Sequence, residues 1–249
     1  MILPYKLGRS AARVQAFAVA LIFCFAVRIG SSQQLSIMPV NVFLTPGQKS
    51  AALTITNPST SDTSIQIRAY AWQQQNNEDQ LTETEILAVS PPLVTIAAGS
   101  TQVVRLILRQ TPKDREATYR ILLDQIPPPG EAGVIHMVLR FSIPIFVAPP
   151  AQVASQLDFH LERKDNQLFL VGVNSGQSHD VLRDCILNTP GGRKLKLPPG
   201  GSPYLLGGTT RLWSINVEGD LPKIGDKLFL TAHNLGGSIE KQIEVTAAP

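Results

Sequence analysis

Residues 134–143 read VIHMVLRFSI, an alternation of large apolar and mixed side chains, and Pro144 follows directly. A period of two places each set on its own face of a β-strand. Proline has no N–H to donate to a neighbouring strand, so Pro144 indicates an edge strand or the end of its pairing. The segment therefore predicts a long extended strand, continuing to Val147, at the edge of a sheet. Its apolar face carries Ile135, Met137, Leu139, Phe141 and Ile143.

A long apolar edge strand is an aggregation hazard and needs a reason to exist. One interpretation is that the odd-numbered residues are simply the core of their own domain. The other is that part of this face is offered to a partner that lacks a strand. Burying four large apolar side chains would contribute roughly 6–12 kcal/mol before ordering costs. Periodicity alone leaves both interpretations open.

Short β-rich runs, broken by glycine and proline, fill the rest of the chain, and no long stretch has the 3.6-residue period of a helix. Residues 73–80 are expected to form a polar loop with solvated acidic side chains. About seven strands in each half predict an all-β protein of two immunoglobulin-like β-sandwich domains, with barrels as the alternative. Strands are expected at 36–44, 51–56, 64–72, 93–96, 101–108, 118–123 and 134–147, then at 157–161, 167–173, 180–187, 194–197, 210–217, 227–232 and 240–245.

The N-terminus has the layout of a secretory signal peptide, expected to be cleaved near Ser32. Basic residues precede an unbroken apolar run at 16–27, and small residues follow at 30–32. The run is short for a membrane span, although a short membrane anchor is the alternative. Pro149 and Pro150 mark the best linker, since paired prolines do not fit a helix or a central strand. The expected organisation is a signal peptide at 1–32, an N-terminal domain at 33–148, a linker at 149–152 and a C-terminal domain at 153–249.

Removal of the signal changes the charge balance. Four of the 22 basic residues and none of the 19 acidic ones lie in 1–32, so the rest of the chain carries a net charge of about −1. This balance indicates no nucleic-acid partner, and no apolar segment after the signal predicts membrane insertion. Cys185 is the one cysteine left, and its apolar neighbours predict a buried thiol rather than a nucleophile.

The sequence contains no recognisable catalytic, metal-binding or cofactor-binding motif. It has no HExxH, no GxSxG, no phosphate-binding loop and no GxGxxG after a strand. The chain is therefore predicted not to be an enzyme and to need no cofactor. The histidines, none with metal-ligand spacing, are His136, His160, His179 and His233.

Most of residues 35–150 resembles the periplasmic chaperones that assemble pili by the chaperone–usher pathway (the PapD-like family). Each motif is modest alone, but together and in chain order they are specific. They are VFLTPGQKS (42–50), LTITN (53–57), AYAW (69–72), SPP (90–92), QVVRL (102–106), RE (115–116), YR (119–120), IPP (126–128) and FSIPIFVAP (141–149).

The resemblance implies two immunoglobulin-like domains in a boomerang with a cleft between them. It implies that the edge strand is lent to a pilus or fimbrial subunit, that the complex passes to an outer-membrane usher, and that no ATP is needed. It places the protein in the periplasm. It also implies that two basic residues in the cleft anchor the subunit's C-terminal carboxylate. The sequence does not decide whether the free chaperone forms a homodimer that covers this edge strand.

This sequence departs from the family at that anchor, and the departures resemble the branch called archaic. Val40-Asn41 and Pro144 stand where the two basic residues are expected, and Ala148 stands where an interdomain arginine is expected. The interdomain ion network is therefore expected to be thinner, with Glu116 as its remaining acidic member. The candidate replacements for the carboxylate anchor are Arg120 and Arg105, followed by Arg140, because a guanidinium pairs best with a carboxylate.

The main alternative function is a secreted β-sandwich that binds or adheres to a target such as carbohydrate. Such a module favours an exposed aromatic platform. The two tryptophans, Trp72 and Trp213, lie in different halves of the chain.

Overall fold

The computed structural model describes residues 35–127 and 137–248, and in that part every regular element is a β-strand. The described residues contain no helix with the length and apolarity that a membrane span requires. The expected signal peptide and Ile135 lie outside the described residues. The first ten strands are β1 (Ser36–Met38), β2 (Val42–Leu44), β3 (Ser50–Thr56), β4 (Thr63–Gln75), β5 (Glu78–Glu83), β6 (Leu87–Ser90), β7 (Leu93–Ile96), β8 (Thr101–Leu108), β9 (Ala117–Ile126) and β10 (Arg140–Val147).

These ten strands form a two-sheet sandwich, here called the N-terminal domain. One sheet has the order β1-β3-β8-β6, and the other has the order β2-β10-β9-β4-β5, with β7 beside the first half of β4. Strand β8 shows how the sequence produces this arrangement, because Val104, Leu106 and Leu108 face the core while the residues between them face outward. The inward rows of both sheets meet in one apolar core.

Three predictions for this domain need correction. The strand expected at 36–44 is divided at Pro39 into β1 and β2, which belong to different sheets. The loop expected at 73–80 is a hairpin of β4 and β5, whose turn places Asn76 and Asn77 at φ of 52° and 65°. Asparagine tolerates this left-handed region and favours such two-residue turns. The strand expected from residue 134 begins only at Arg140 in the described residues.

The remaining nine strands form the C-terminal domain, around a second apolar core. Its main sheet has the order β15-β14-β18-β19-β11-β12-β17, while β13 and β16 form a separate pair. The long β19 joins the two parts of this sheet, since residues 237–244 pair antiparallel with β18 and residues 245–247 pair parallel with β11. The predicted all-β fold of two sandwich domains is thus confirmed. The strands are β11 (Leu157–Lys164), β12 (Gln167–Asn174), β13 (Asp180–Val181), β14 (Arg183–Asn188), β15 (Lys194–Lys196), β16 (Tyr204–Leu205), β17 (Thr209–Ile215), β18 (Lys227–Asn234) and β19 (Gly237–Ala247).

Cys185 lies in the core of the C-terminal domain with 8% of its surface exposed, as predicted. Burial raises the pKa of its thiol to about 12, so almost no thiolate exists at neutral pH. We expect the native protein to react with a thiol reagent such as Ellman's reagent at least about a hundredfold more slowly than the urea-unfolded chain. Equal rates in the two states would contradict the buried position.

Candidate functional site

Strand β10 has one fully paired side and one side that is mostly open. It runs antiparallel to β9 along its whole length, from Arg140 opposite Asp124 to Val147 opposite Ala117. On its other side, β2 pairs only with residues 145–147. Among the described residues, the part of β10 before Ile145 therefore has no strand partner on this side. The edge that Pro144 predicted lies in this part.

The apolar row of the edge strand divides between core and surface. Ile143 lies in the domain core with 6% exposure, and the half-buried Phe141 packs against that core. Leu139 is half-buried, and Met137 is 82% exposed. The inner end of the row therefore belongs to the domain core, whereas its outer end is exposed to solvent. Ile135, at the exposed end, lies outside the described residues.

The opposite face of the same sheet contacts the C-terminal domain. Trp72, Phe146 and Leu206 form a buried cluster with Tyr204 packed against it, here called the interdomain joint. The ring of His179 stacks on Phe146 with 3.4 Å between ring centroids. The joint thus combines aromatic side chains from both domains.

A hydrogen-bonded pair of Glu116 and His179 joins the two domains. Glu116 accepts hydrogen bonds from the backbone N–H of His179 at 3.0 Å and from its Nδ1 at 2.8 Å. Both side chains are nearly buried, with 5% exposure for His179 and 10% for Glu116. Glu116 thus takes part in the interdomain contact, as expected, and its partner in the C-terminal domain is a histidine.

Arg120 lies beside the position where the family's cleft lysine is expected. In the strand register it is opposite Pro144 on one side and Tyr70 on the other. Its guanidinium lies 3.7 Å from the ring centroid of Trp72 and 5.2 Å from that of Tyr204. Its side chain is 11% exposed, and burial lowers its pKa. A buried guanidinium favours a nearby anion.

The structure does not bring the other two candidate arginines to this place. Arg105 lies on β8, in the other sheet, and points to solvent. Arg140 pairs with Asp124, which Arg68 also binds at 2.6 Å. Burial disfavours the charged form of Asp124, but the hydrogen bonds from Arg140 and Arg68 outweigh it and lower the pKa of this carboxyl. Arg140 is thus bound directly by a carboxylate and lies on the surface, whereas the buried Arg120 comes no closer than 3.9 Å to its nearest carboxylate, that of Asp79.

The β4–β5 hairpin carries an ion pair that the sequence did not predict. Asp79, expected to be solvated, accepts a hydrogen bond at 2.8 Å from Arg211 of the C-terminal domain. Gln74 and Asn77, in the same hairpin, also bind backbone groups of that domain. The polar run QQQNNEDQ at 73–80 has the asparagine pair of a tight turn, and this signal could have indicated a hairpin.

Within the described residues, no group of three or more His, Cys, Asp or Glu side chains is placed to hold a metal ion.

Comparison with known families and structures agrees with the fold. Residues 34–152 match the family model of the pili and flagellar-assembly chaperone, PapD N-terminal domain. Comparison with curated protein sequences finds no match.

Among solved structures, a chain of the CsuC–CsuE chaperone–tip adhesion subunit pre-assembly complex, from archaic chaperone–usher Csu pili of Acinetobacter baumannii, aligns with a TM-score of 0.64 and 22% identity. The alignment covers 87% of this chain and 100% of that one. The YadV chaperone aligns with a TM-score of 0.61 and 17% identity over 84% of this chain and 98% of that one. A chain of the Salmonella enterica SafA pilin–SafB chaperone complex aligns with a TM-score of 0.57 and 16% identity over 85% and 95%. At these identities the likeness establishes the fold.

Proposed function

We propose that this chain, whose residues 34–152 match the pili and flagellar-assembly chaperones, binds pilus or fimbrial subunits in the periplasm by donor-strand complementation and delivers them to an outer-membrane usher. The observation that carries this proposal is the open side of β10, with Met137 exposed just before the strand begins. Two of the structural relatives come from complexes of a chaperone with a pilus subunit, which supports the same class of partner.

The divided apolar row explains how one strand serves two cores. Ile143 lies in the core of the N-terminal domain and fixes the strand in the chaperone, while the half-buried Phe141 packs against that core and keeps part of its surface exposed. Met137 and Leu139 continue the same row outward, where they would fill a groove in a client that lacks a strand. We therefore leave Ile143 out of the proposed donor set and retain Ile135, Met137, Leu139 and the half-buried Phe141. Burial of Met137 and Leu139 alone would contribute about 3–6 kcal/mol before ordering costs.

Arg120 is the proposed anchor for the client's C-terminal carboxylate. It lies opposite Pro144, so a client strand that pairs with the open side of β10 would end near its guanidinium. Among the described residues, its only ion-pair partner is Asp79, at the long distance of 3.9 Å. A guanidinium with unused donors in a desolvated cleft binds a carboxylate strongly.

We expect Arg120→Ala to reduce the yield of complex with a co-expressed pilus subunit from the same genome by at least about tenfold, because it leaves a buried carboxylate unpaired. Arg120→Lys should give an intermediate yield, since it keeps the charge and loses the bidentate geometry. Arg105→Ala is the matched control, since Arg105 is exposed on the other sheet. If Arg120→Ala leaves the yield of complex unchanged and Arg105→Ala lowers it, Arg105 rather than Arg120 anchors the carboxylate.

The alternative of a carbohydrate-binding or adhesive module has less support. Trp72 and Trp213 are 1% and 9% exposed, so neither offers a platform to a ligand. The domain bounds at 33–148 and 153–249, the signal cleavage near Ser32, the archaic branch and the self-capping homodimer stay predictions.

A further inference from the structure

We propose that Arg211 is a positioning residue for the anion site at Arg120: by binding Asp79, it prevents that carboxylate from neutralising Arg120. The C-terminal domain would thereby keep the anchor in the N-terminal domain free for a client. This inference rests on the proposed function, in which Arg120 holds the C-terminal carboxylate of a subunit.

The geometry of Asp79 shows which guanidinium it prefers. Its Oδ1 accepts hydrogen bonds from Arg211 Nη1 at 2.8 Å and from Gln74 Nε2 at 3.0 Å. Its Oδ2 lies 3.9 Å from Arg120 Nη2, which is beyond hydrogen-bond distance. The carboxylate is thus held on the side of the C-terminal domain, although Arg120 is close enough to take it.

The charges leave Arg120 with an unsatisfied positive charge. The charged side chains that act on it are Asp79 and Arg211, so two guanidinium groups share one carboxylate. The side chains of Arg120 and Arg211 are only 11% and 12% exposed, so water screens this excess weakly. Burial opposes the charged form of Asp79, but the hydrogen bonds from Arg211 and Gln74 outweigh it and lower its pKa. Asp79 therefore stays charged, and its position decides how much of the field at Arg120 it cancels.

Loss of Arg211 would release Asp79 toward Arg120. A carboxylate and a guanidinium at this separation can form a bidentate pair after a small side-chain rotation. The client's carboxylate would then compete with an internal one. The joint itself does not depend on Arg211 alone, because Gln74 and Asn77 also hold the hairpin to the C-terminal domain.

The test measures preference for a carboxylate rather than total binding. The probe is a short synthetic peptide of alternating valine and threonine with an N-terminal fluorophore, prepared with a free C-terminal carboxylate and, as a control, with a C-terminal amide. We expect the full-length wild-type protein to bind the acid about tenfold more tightly than the amide by fluorescence anisotropy. Arg120→Gln should abolish this preference, and Arg211→Gln should remove most of it.

The decisive variant is the double substitution Asp79→Asn with Arg211→Gln, which should restore the preference of the wild type. A merely structural role for Arg211 would not be rescued in this way, because the asparagine adds no contact between the domains. Asp79→Asn alone should keep or increase the preference.

Each outcome separates the two proposals. If wild type and Arg120→Gln show the same acid-to-amide ratio, the anchor at Arg120 fails and this inference fails with it. If Arg120→Gln loses the preference but Arg211→Gln keeps it, or if the double variant is not restored, Arg211 does not position the site and the anchor stands.

Discussion

Replacement of Met137 by glutamate is expected to reduce capture of a co-expressed pilus subunit by at least about a hundredfold, while the free chaperone keeps its stability. Met137 is 82% exposed, so the substitution removes no packing from the domain. In the complex, the same side chain would enter the client's apolar groove. The variant then loses about 1.5–3 kcal/mol of apolar burial and adds several kcal/mol for an unpaired buried charge. Pull-down of a tagged subunit and thermal melting of the free protein measure the two effects.

Val138→Glu is the matched control. Val138 is the neighbour of Met137 in sequence, so its side chain should face the opposite side of the lent strand. Val138 is also exposed, at 49%, so both variants start from surface positions. We expect Val138→Glu to retain most of the capture. Equal losses of subunit capture in both variants would contradict a strand donated in one register. If Met137→Glu instead lowers the melting temperature of the free protein strongly, Met137 belongs to the domain core.

The strands predicted best from the sequence are those in which apolar and polar residues alternate along the whole strand. The expected strand at 101–108 matches β8, because its alternation is complete and its inward residues fill the core. Strand β5 was missed because all six of its residues are exposed, so no apolar pattern indicates it. Its position depends on the tight turn at Asn76 and Asn77 and on contacts of the hairpin with the other domain. Local pattern carries no information about such contacts.

The candidate site was predictable only in part, for a similar reason. Arg120 stood out because it is a charged residue in an apolar strand. Its partner Asp79, and the pair of Glu116 with His179, join segments that are distant in sequence. His179 has no local motif, so its role at the interdomain joint appears only when the two domains are placed together.

A buried carboxylate beside His179 holds the edge of the C-terminal domain that meets the joint. Asp180 is 1% exposed and accepts hydrogen bonds from Ser155 Oγ at 2.6 Å, Asn234 Nδ2 at 3.1 Å and the backbone N–H of Leu235 at 2.9 Å. In the described chain, no cation lies within ion-pair distance of it, so neutral donors compensate its burial, and these include the backbone N–H of Val181 at 2.8 Å. Two separate segments, one at Ser155 and one at Asn234 and Leu235, are therefore held by one side chain.

Asp180→Ala is expected to destabilise the C-terminal domain by about 4 kcal/mol, since it leaves several buried donors without acceptors at roughly 1–3 kcal/mol each. That is a large share of the roughly 5–15 kcal/mol that holds a typical domain together. Calorimetry of the full chain should show the C-terminal transition at least about 15 °C lower. Asp158→Ala is the control, because that carboxylate is 68% exposed and its ion pair with Lys241 is worth at most about 1 kcal/mol. If both variants have the melting temperature of the wild type, Asp180 does not hold these segments. If only Asp180→Ala lowers that temperature, the interdomain contact through the neighbouring His179 should weaken as well.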